Sequence, residues 1–331
     1  MTSYYLGIDV GSVSTNIALL DDKGKVREKI YLRTQGKPIH AIREGLTWLK
    51  GMMPNSIEIK GLGTTGSGRQ LAAAVLGADI VKNEITAQGV AAMAQIDDVR
   101  TVIEIGGQDS KIIIMRDGVI VDFAMNTVCA AGTGSFLDRQ AARLGIDIEE
   151  FGLYALQSDN PVRIAGRCAV FAESDMIHKQ QMGCNQNDII YGLCEALVRN
   201  FLTNVAKGKV IEDNIVFQGG VAANVGILRS FENALNKKIH VPENYDVMGA
   251  IGAALLARDY IGDKKITRFY GFDNINKKFE TMGIECNGCP NLCEIIEIRM
   301  DAKVIARWGD RCGKWNTPAF QNEDMTQTIV V

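Results

Sequence analysis

Eight cysteines stand in this 331-residue chain, and six of them are placed to do chemistry. Cys286, Cys289 and Cys293 form a Cys-x-x-Cys-x-x-x-Cys run completed by Cys312, a spacing that suits a metal site. Four thiols without histidine fit tetrahedral zinc or an iron–sulfur cluster. Cys129 and Cys168 differ: each lies just ahead of an apolar, helix-forming segment, so each thiolate would sit near the positive end of a helix. Two thiolates cannot close an iron–sulfur cube or a structural zinc, which take four ligands. Either two distant cysteines join them, or a second copy of the chain supplies the same pair across a two-fold axis. The alternative is that both are small buried hydrophobes, a frequent fate of free cysteine. Cys184 and Cys194 read as structural, and His40, His178 and His240 form no ligand grouping.

Three further segments could hold phosphate. Asp9 ends an apolar strand and is followed by Gly11, Ser12, Ser14 and Thr15. Glycine in such a turn lets backbone N–H groups approach phosphate oxygens, the hydroxyls add donors, and the acid can hold magnesium. Glu104, Gly106, Gly107, Gln108, Asp109 and Lys111 repeat the design. Gly219, Gly220 and Asn224 follow a third apolar strand, Ile215 to Phe217. The chain has no Gly-x-x-x-x-Gly-Lys-Ser/Thr loop, and Gly132 to Ser135 lacks the strand and acidic partner of a dinucleotide fingerprint.

The positioning elements read as α/β. Strands at Tyr4–Ile8, Asn16–Leu20 and Val26–Leu32 form a meander, followed by a helix over Pro38–Met52, a strand over Ile57–Gly63, and helices over Arg69–Leu76 and Ala87–Gln95. The meander recurs at Thr101–Ile105, Lys111–Met115 and Val119–Met125. Asp9 precedes Gly24 by fifteen residues and Glu104 precedes Gly118 by fourteen, which predicts an internal duplication. Helices near Gly134–Leu144, Val170–Gln181 and Asp188–Lys207 follow, then a helix from Val225, a short strand over Lys238–Val241, and a small-residue helix over Met248–Tyr260. The expected domains are 1–97, 98–246, a connecting helix at 247–264, and a four-cysteine tail at 265–331, within which Glu294–Trp308 alternates like a β-hairpin. Hydrophobic content of 47% and a net charge of −3 suit buried cores and give no general attraction to nucleic acid or anionic membrane. The longest apolar runs, about eleven residues, fall short of the roughly 20 that span a bilayer. With no basic leader ahead of Tyr4, the expected location is cytoplasmic.

In order, the two hairpins and the Gly219–Asn224 segment resemble the phosphate and adenosine segments of the actin, heat-shock-70 and sugar-kinase ATPase superfamily. The resemblance implies duplicated ribonuclease-H-like halves with a nucleotide cleft between them. Asp9 and Glu104 or Asp109 would position magnesium and the attacking water, and Gly219, Gly220 and Asn224 would border the adenosine. Thr127–Asp138 and Arg167–Met176 further resemble the cluster motifs of activators of 2-hydroxyacyl-CoA dehydratases, a family that includes benzoyl-CoA reductase ATPase subunits and double-cubane-protein reductases. Gly63–Arg69 and Asn83–Gly89 also fit, so the likeness spans about residues 3 to 262. It implies a homodimer holding one 4Fe-4S cluster at its two-fold axis through Cys129 and Cys168. It also implies that ATP hydrolysis drives an electron from ferredoxin or flavodoxin to a partner iron–sulfur enzyme. Longer, activase-like members carry similar tails, in which zinc or a second iron–sulfur cluster is expected. The other readings are a small-molecule kinase of the same fold and a nucleotide-switched binding protein.

Overall fold

The computed structural model describes residues 2–53, 57–126, 129–262 and 265–315. Thr127 and Val128, residues 263–264 at the end of the expected connecting helix, and the last part of the tail lie outside the described residues. In order the elements are β1 (Thr2–Val10), β2 (Ser14–Asp21), β3 (Val26–Arg33), α1 (Pro38–Met52), β4 (Ile57–Thr65), α2 (Arg69–Leu76), β5 (Ile80–Val81) and α3 (Glu84–Gln95). There follow β6 (Thr101–Ile105), β7 (Ser110–Arg116), β8 (Val119–Asn126), α4 (Gly134–Leu144), α5 (Ile148–Leu156), α6 (Ala169–Gln181), α7 (Gln186–Asn204), β9 (Ile215–Gln218), α8 (Val225–Leu235), β10 (Ile239–His240) and α9 (Met248–Ile261). The tail adds β11 (Phe279–Glu285), β12 (Glu294–Met300) and β13 (Lys303–Trp308). No helix among the described residues is long and apolar enough to cross a membrane. The chain divides into two compact units, Met1–Glu84 with Gly249–Val331, and Ile85–Met248.

The first unit holds a five-stranded sheet in the order β3-β2-β1-β4-β5, and the second a five-stranded sheet in the order β10-β9-β6-β7-β8. The orders match when β1–β5 are laid on β6–β10. In each, the first three strands are antiparallel and the last two are added in parallel. The duplication predicted from the hairpin spacing is therefore present in topology. The halves differ chiefly between their third and fourth strands, where the first has α1 alone and the second has α4 to α7. Both cysteines that precede helices fall in that enlarged connection.

Strand alternation and helix periodicity account for the first core. Leu6, Ile8 and Val10 of β1 with Ile17 and Leu19 of β2 meet Ile42, Leu46 and Leu49 of α1. Helix α1 enters on Pro38, whose fixed φ and missing N–H suit a first turn. It stops at Met53, which is extended as expected for the residue before Pro54. On the opposite face α9 lies directly on the backbone: a Cβ on Gly7 would collide with the Ala250 carbonyl, and one on Gly63 with that of Ala253. The small residues of α9 are thus required by strand contact. Gly7→Val is expected to destabilise this unit by about 1–3 kcal/mol, the usual scale of overpacking. An unchanged urea midpoint would show that α9 does not pack there.

In the second unit Ile103, Ile105, Ile112 and Ile114 face Phe136, Phe151, Leu197 and Phe201. Phe231 stands edge-on to both Phe201 and Phe217 at 5.4 Å. On the other face of this sheet α3 approaches through Gly89, where a Cβ would lie 2.8 Å from Ile120, and Gln88 accepts from Gln218 at 2.6 Å.

The tail is built into the first unit. Asp79, 1% exposed, accepts from the Leu62 amide at 2.8 Å, and from the Thr267 hydroxyl and the Arg268 amide at 2.7 Å each. Tyr270 donates its amide to the Leu76 carbonyl at 2.9 Å. Beyond this strap the antiparallel sheet β11-β12-β13 sets Ile298 and Ala306 on Ala74 of α2. Burial works against ionisation of Glu297 in β12, but the guanidiniums of Arg299 and Arg307, at 2.6 and 2.7 Å, outweigh it and hold the carboxyl below the usual range.

Candidate functional site

Each sheet presents one hairpin at the end of its first strand. In the first, the Gly11 amide donates to the Ser14 carbonyl at 2.8 Å, leaving Ser12 exposed and Gly11 and Ser14 half-buried. Thr15 is turned inward: its hydroxyl shares a 3.0 Å hydrogen bond with Thr34, which donates to the Gly11 carbonyl at 3.0 Å. It shapes the turn. Asp9 is backed by a segment to which no role was given from sequence. Gly66 has φ +89°, and a Cβ there would lie 2.4 Å from the Asp9 Oδ1, while the Gly68 amide donates to the Val10 carbonyl at 2.8 Å. Only glycine allows both the left-handed backbone and that approach. The Gly-Ser-Gly run after an apolar strand was the available signal.

In the second hairpin the Gly106 amide donates to the Asp109 carbonyl at 3.0 Å. Glu104 and Lys111 are buried, and the Lys111 Nζ lies 2.8 Å from the Glu104 Oε2 and 2.8 Å from the Asp109 Oδ1. One ammonium thus fixes two carboxylates, which stay acceptors for a metal-bound water or an attacking water. Gly107 is half-buried and Gln108 exposed. The Gly219–Asn224 segment meets this hairpin: at Gly219, φ +88°, a Cβ would lie 2.8 Å from the Glu104 Oε1. Gly220 is exposed. The Asn224 Oδ1 caps α8 by accepting from the Gly226 and Ile227 amides at 3.0 and 3.1 Å. Its Nδ2 is buried with no partner among the described residues.

The two helix-start cysteines are half-buried. Cys168 is the N-cap of α6. Cys129 caps a 3-10 turn, Ala130–Gly132, and α4 begins only at Gly134, so its thiol is one turn further from an α-helix than the sequence suggested. Asn126 holds the Cys129 backbone on both sides, accepting from its amide at 3.0 Å and donating to its carbonyl at 2.9 Å. Beside Cys168 the side chains of Val170 and Phe171 are 68% and 66% exposed, an apolar rim that suits a surface to be covered. In donor chemistry Cys129 and Cys168 are two thiolates, half the number an iron–sulfur cube takes. Cys194 does not belong with them: it is fully buried, and burial pushes its thiol up. Cys184 packs on the same core.

A family model described as BadF/BadG/BcrA/BcrD ATPase matches residues 6–257. The chain belongs to this family. It is 33% identical over 259 residues to the 2-hydroxyisocaproyl-CoA dehydratase activator of Clostridioides difficile, covering 77% of this chain and 95% of that one. It is 32% identical over 263 residues to the (R)-2-hydroxyglutaryl-CoA dehydratase activating ATPase of Acidaminococcus fermentans, covering 78% and 98%. Among solved structures it resembles the Clostridium difficile activator with bound ADPNP, with a TM-score of 0.71 and 32% identity over 78% of this chain and 95% of that one. The actin-like ATPase fold expected from the hairpins is thus shown.

The BadF/BadG/BcrA/BcrD match ends before the tail cysteines. Cys286, Cys289 and Cys293 sit in the β11–β12 connection, where the Cys286 amide donates to the Cys293 carbonyl at 2.8 Å. Trp308, at the end of β13, pairs with Ile296, so the chain bearing Cys312 leaves from the same end of the sheet. The Trp315 indole returns there, donating to the Cys286 Sγ at 3.1 Å. The Gly288 amide and that indole lower the Cys286 pKa. Cys289 and Cys312 are exposed, and no three ligating side chains are gathered among the described residues. A four-thiolate metal site would require these thiols to draw together.

Proposed function

We propose that this protein is a cytoplasmic, ATP-hydrolysing reductase component that delivers a low-potential electron, received from ferredoxin or flavodoxin, to a partner iron–sulfur enzyme such as a 2-hydroxyacyl-CoA dehydratase or a double-cubane protein. The observation that carries the proposal is the placement of Cys129 and Cys168 at helix starts in the one connection by which the second half exceeds the first, within a chain 32–33% identical to dehydratase activators. A kinase would have no task for those two thiols.

In this reading ATP and ADP bind through Gly11, Ser12 and Ser14 of the first hairpin and Gly106, Gly107 and Gln108 of the second. Asp9 and the carboxylates fixed by Lys111 hold magnesium and orient water, and Gly219, Gly220 and Asn224 border the adenosine. Two copies contribute Cys129 and Cys168 to a shared 4Fe-4S cluster, which supplies a one-electron carrier when bound. Helix N-termini behind the thiolates stabilise its negative charge. The tail cysteines are assigned zinc or a second iron–sulfur cluster.

Anaerobic purification tests this. We expect a brown dimer with iron and acid-labile sulfide, whose cluster potential differs between ADP and a non-hydrolysable ATP analogue. A tenfold coupling corresponds to about 1.4 kcal/mol, or about 59 mV for one electron. A colourless protein, or identical potentials in both states, would overturn the electron-transfer reading.

A further inference from the structure

The second hairpin is bonded directly to the helix after Cys129. Gly134 and Ser135, the first residues of α4, donate their amides to the carbonyls of Gly106 and Gly107 at 2.9 Å each, and the Ser135 hydroxyl also reaches the Gly107 carbonyl. The approach to Cys168 is held from a different element. In α7, Arg199 donates to the Ile164 carbonyl and Asn200 Nδ2 to the Gly166 carbonyl, both at 2.6 Å. Gly166 lies so close to α7 that a Cβ there would be 2.8 Å from the Ala196 carbonyl.

Asn200 also reaches the other cysteine segment. Its Oδ1 lies 2.9 Å from where a Cβ on Gly132 would stand, and the Asn126 Nδ2 and Ser110 Oγ lie 3.7 Å from the same point. Asn200 is 1% exposed and Ser110 fully buried; the Asn200 Oδ1 and Ser110 Oγ have no hydrogen-bond partner among the described residues. Leaving such a group unpaired costs about 1–3 kcal/mol, so a leucine or alanine there would give the simpler core. One buried amide thus bonds to the Cys168 approach and abuts the Cys129 turn, with an acceptor open to a change of partner.

We infer that Asn200 is the positioning residue through which the state of the second hairpin reaches Cys168, whereas Cys129 is reached directly through Gly134 and Ser135. The inference rests on the reading of that hairpin as a phosphate site. It makes the two cysteine segments separable: they move together only while Asn200 spans them. Packing through α7 alone would couple them whether or not the amide is present.

Amide hydrogen exchange on the full-length protein as purified tests this, with ADP against a non-hydrolysable ATP analogue. In the wild type, exchange over both 129–135 and 166–170 should differ between nucleotides by about fivefold, within the usual range of coupling. In Asn200→Ala the difference over 129–135 should persist and that over 166–170 should vanish, with nucleotide affinity and cooperative melting retained. Asn200→Asp, which keeps the volume but loses the N–H donor to Gly166, should behave as Asn200→Ala does and serves if the smaller side chain prevents folding. A nucleotide response over 166–170 that survives in both variants overturns the inference, as does its absence in a wild type that binds the analogue. Failure of the wild type to bind the analogue overturns the phosphate reading itself, and the inference with it.

Discussion

Asp9→Ala and Glu104→Ala are each expected to lower ATP turnover by at least about a hundredfold, the scale of losing one preorganised metal or water contact. The two should fail differently. Asp9 is half-buried at a strand end, with Gly66 shaped around it, so its removal subtracts a ligand with little change in packing. Glu104 is the partner of a buried ammonium, and truncating one member of such a pair costs about 3–5 kcal/mol. Glu104→Gln is therefore the sharper variant, keeping shape and an acceptor for Lys111 while losing the charge. Iron content should be unaffected in all three. Turnover within about twofold of wild type in the Asp9 and Glu104→Gln variants would move the phosphate chemistry elsewhere.

Cys129→Ser or Cys168→Ser should abolish the proposed cluster, because in the proposed dimer one substitution removes two of four ligands. Nucleotide binding should stay within about twofold, since neither cysteine belongs to a hairpin and the Asn126 side chain clasps the backbone of Cys129, which the substitution leaves in place. The clean measurement replaces Cys286, Cys289, Cys293 and Cys312 as well, so that any iron in the tail is removed from the count. Full iron and colour in that background would disprove the assignment. Loss of colour with the dimer intact would support it.

Much of this was legible in the chain because the signals were local. Strand alternation, the glycine turns after Asp9 and Glu104 and the matched hairpin spacing each depend on a few adjacent residues, and they led to two sheets of one topology. The rest depends on residues far apart in the chain. Helix α5 is only Ile148–Leu156, started by Asp147 accepting from the Glu149 amide, and its apolar face is meaningful only against α7 and α8. Strand β11 has an exposed, irregular pattern and exists because β12 pairs with it. Thr15 has the residue type of a phosphate donor, but its hydroxyl is shared with Thr34, nineteen residues on. Gly66 and Asn200 are ordinary residue types whose importance lies wholly in what stands opposite them.

The strap at Asp79 bears on how this protein can be divided. Because Thr267 and Arg268 complete the hydrogen bonding of a buried carboxylate, and Ile298 and Ala306 cover Ala74, the tail is not a module hung on a finished ATPase. A chain cut after α9 to mimic shorter relatives would uncover an apolar helix face and remove two hydrogen bonds from a buried aspartate. Such a fragment should aggregate or be quickly proteolysed, and any loss of activity in it would report misfolding rather than a missing metal.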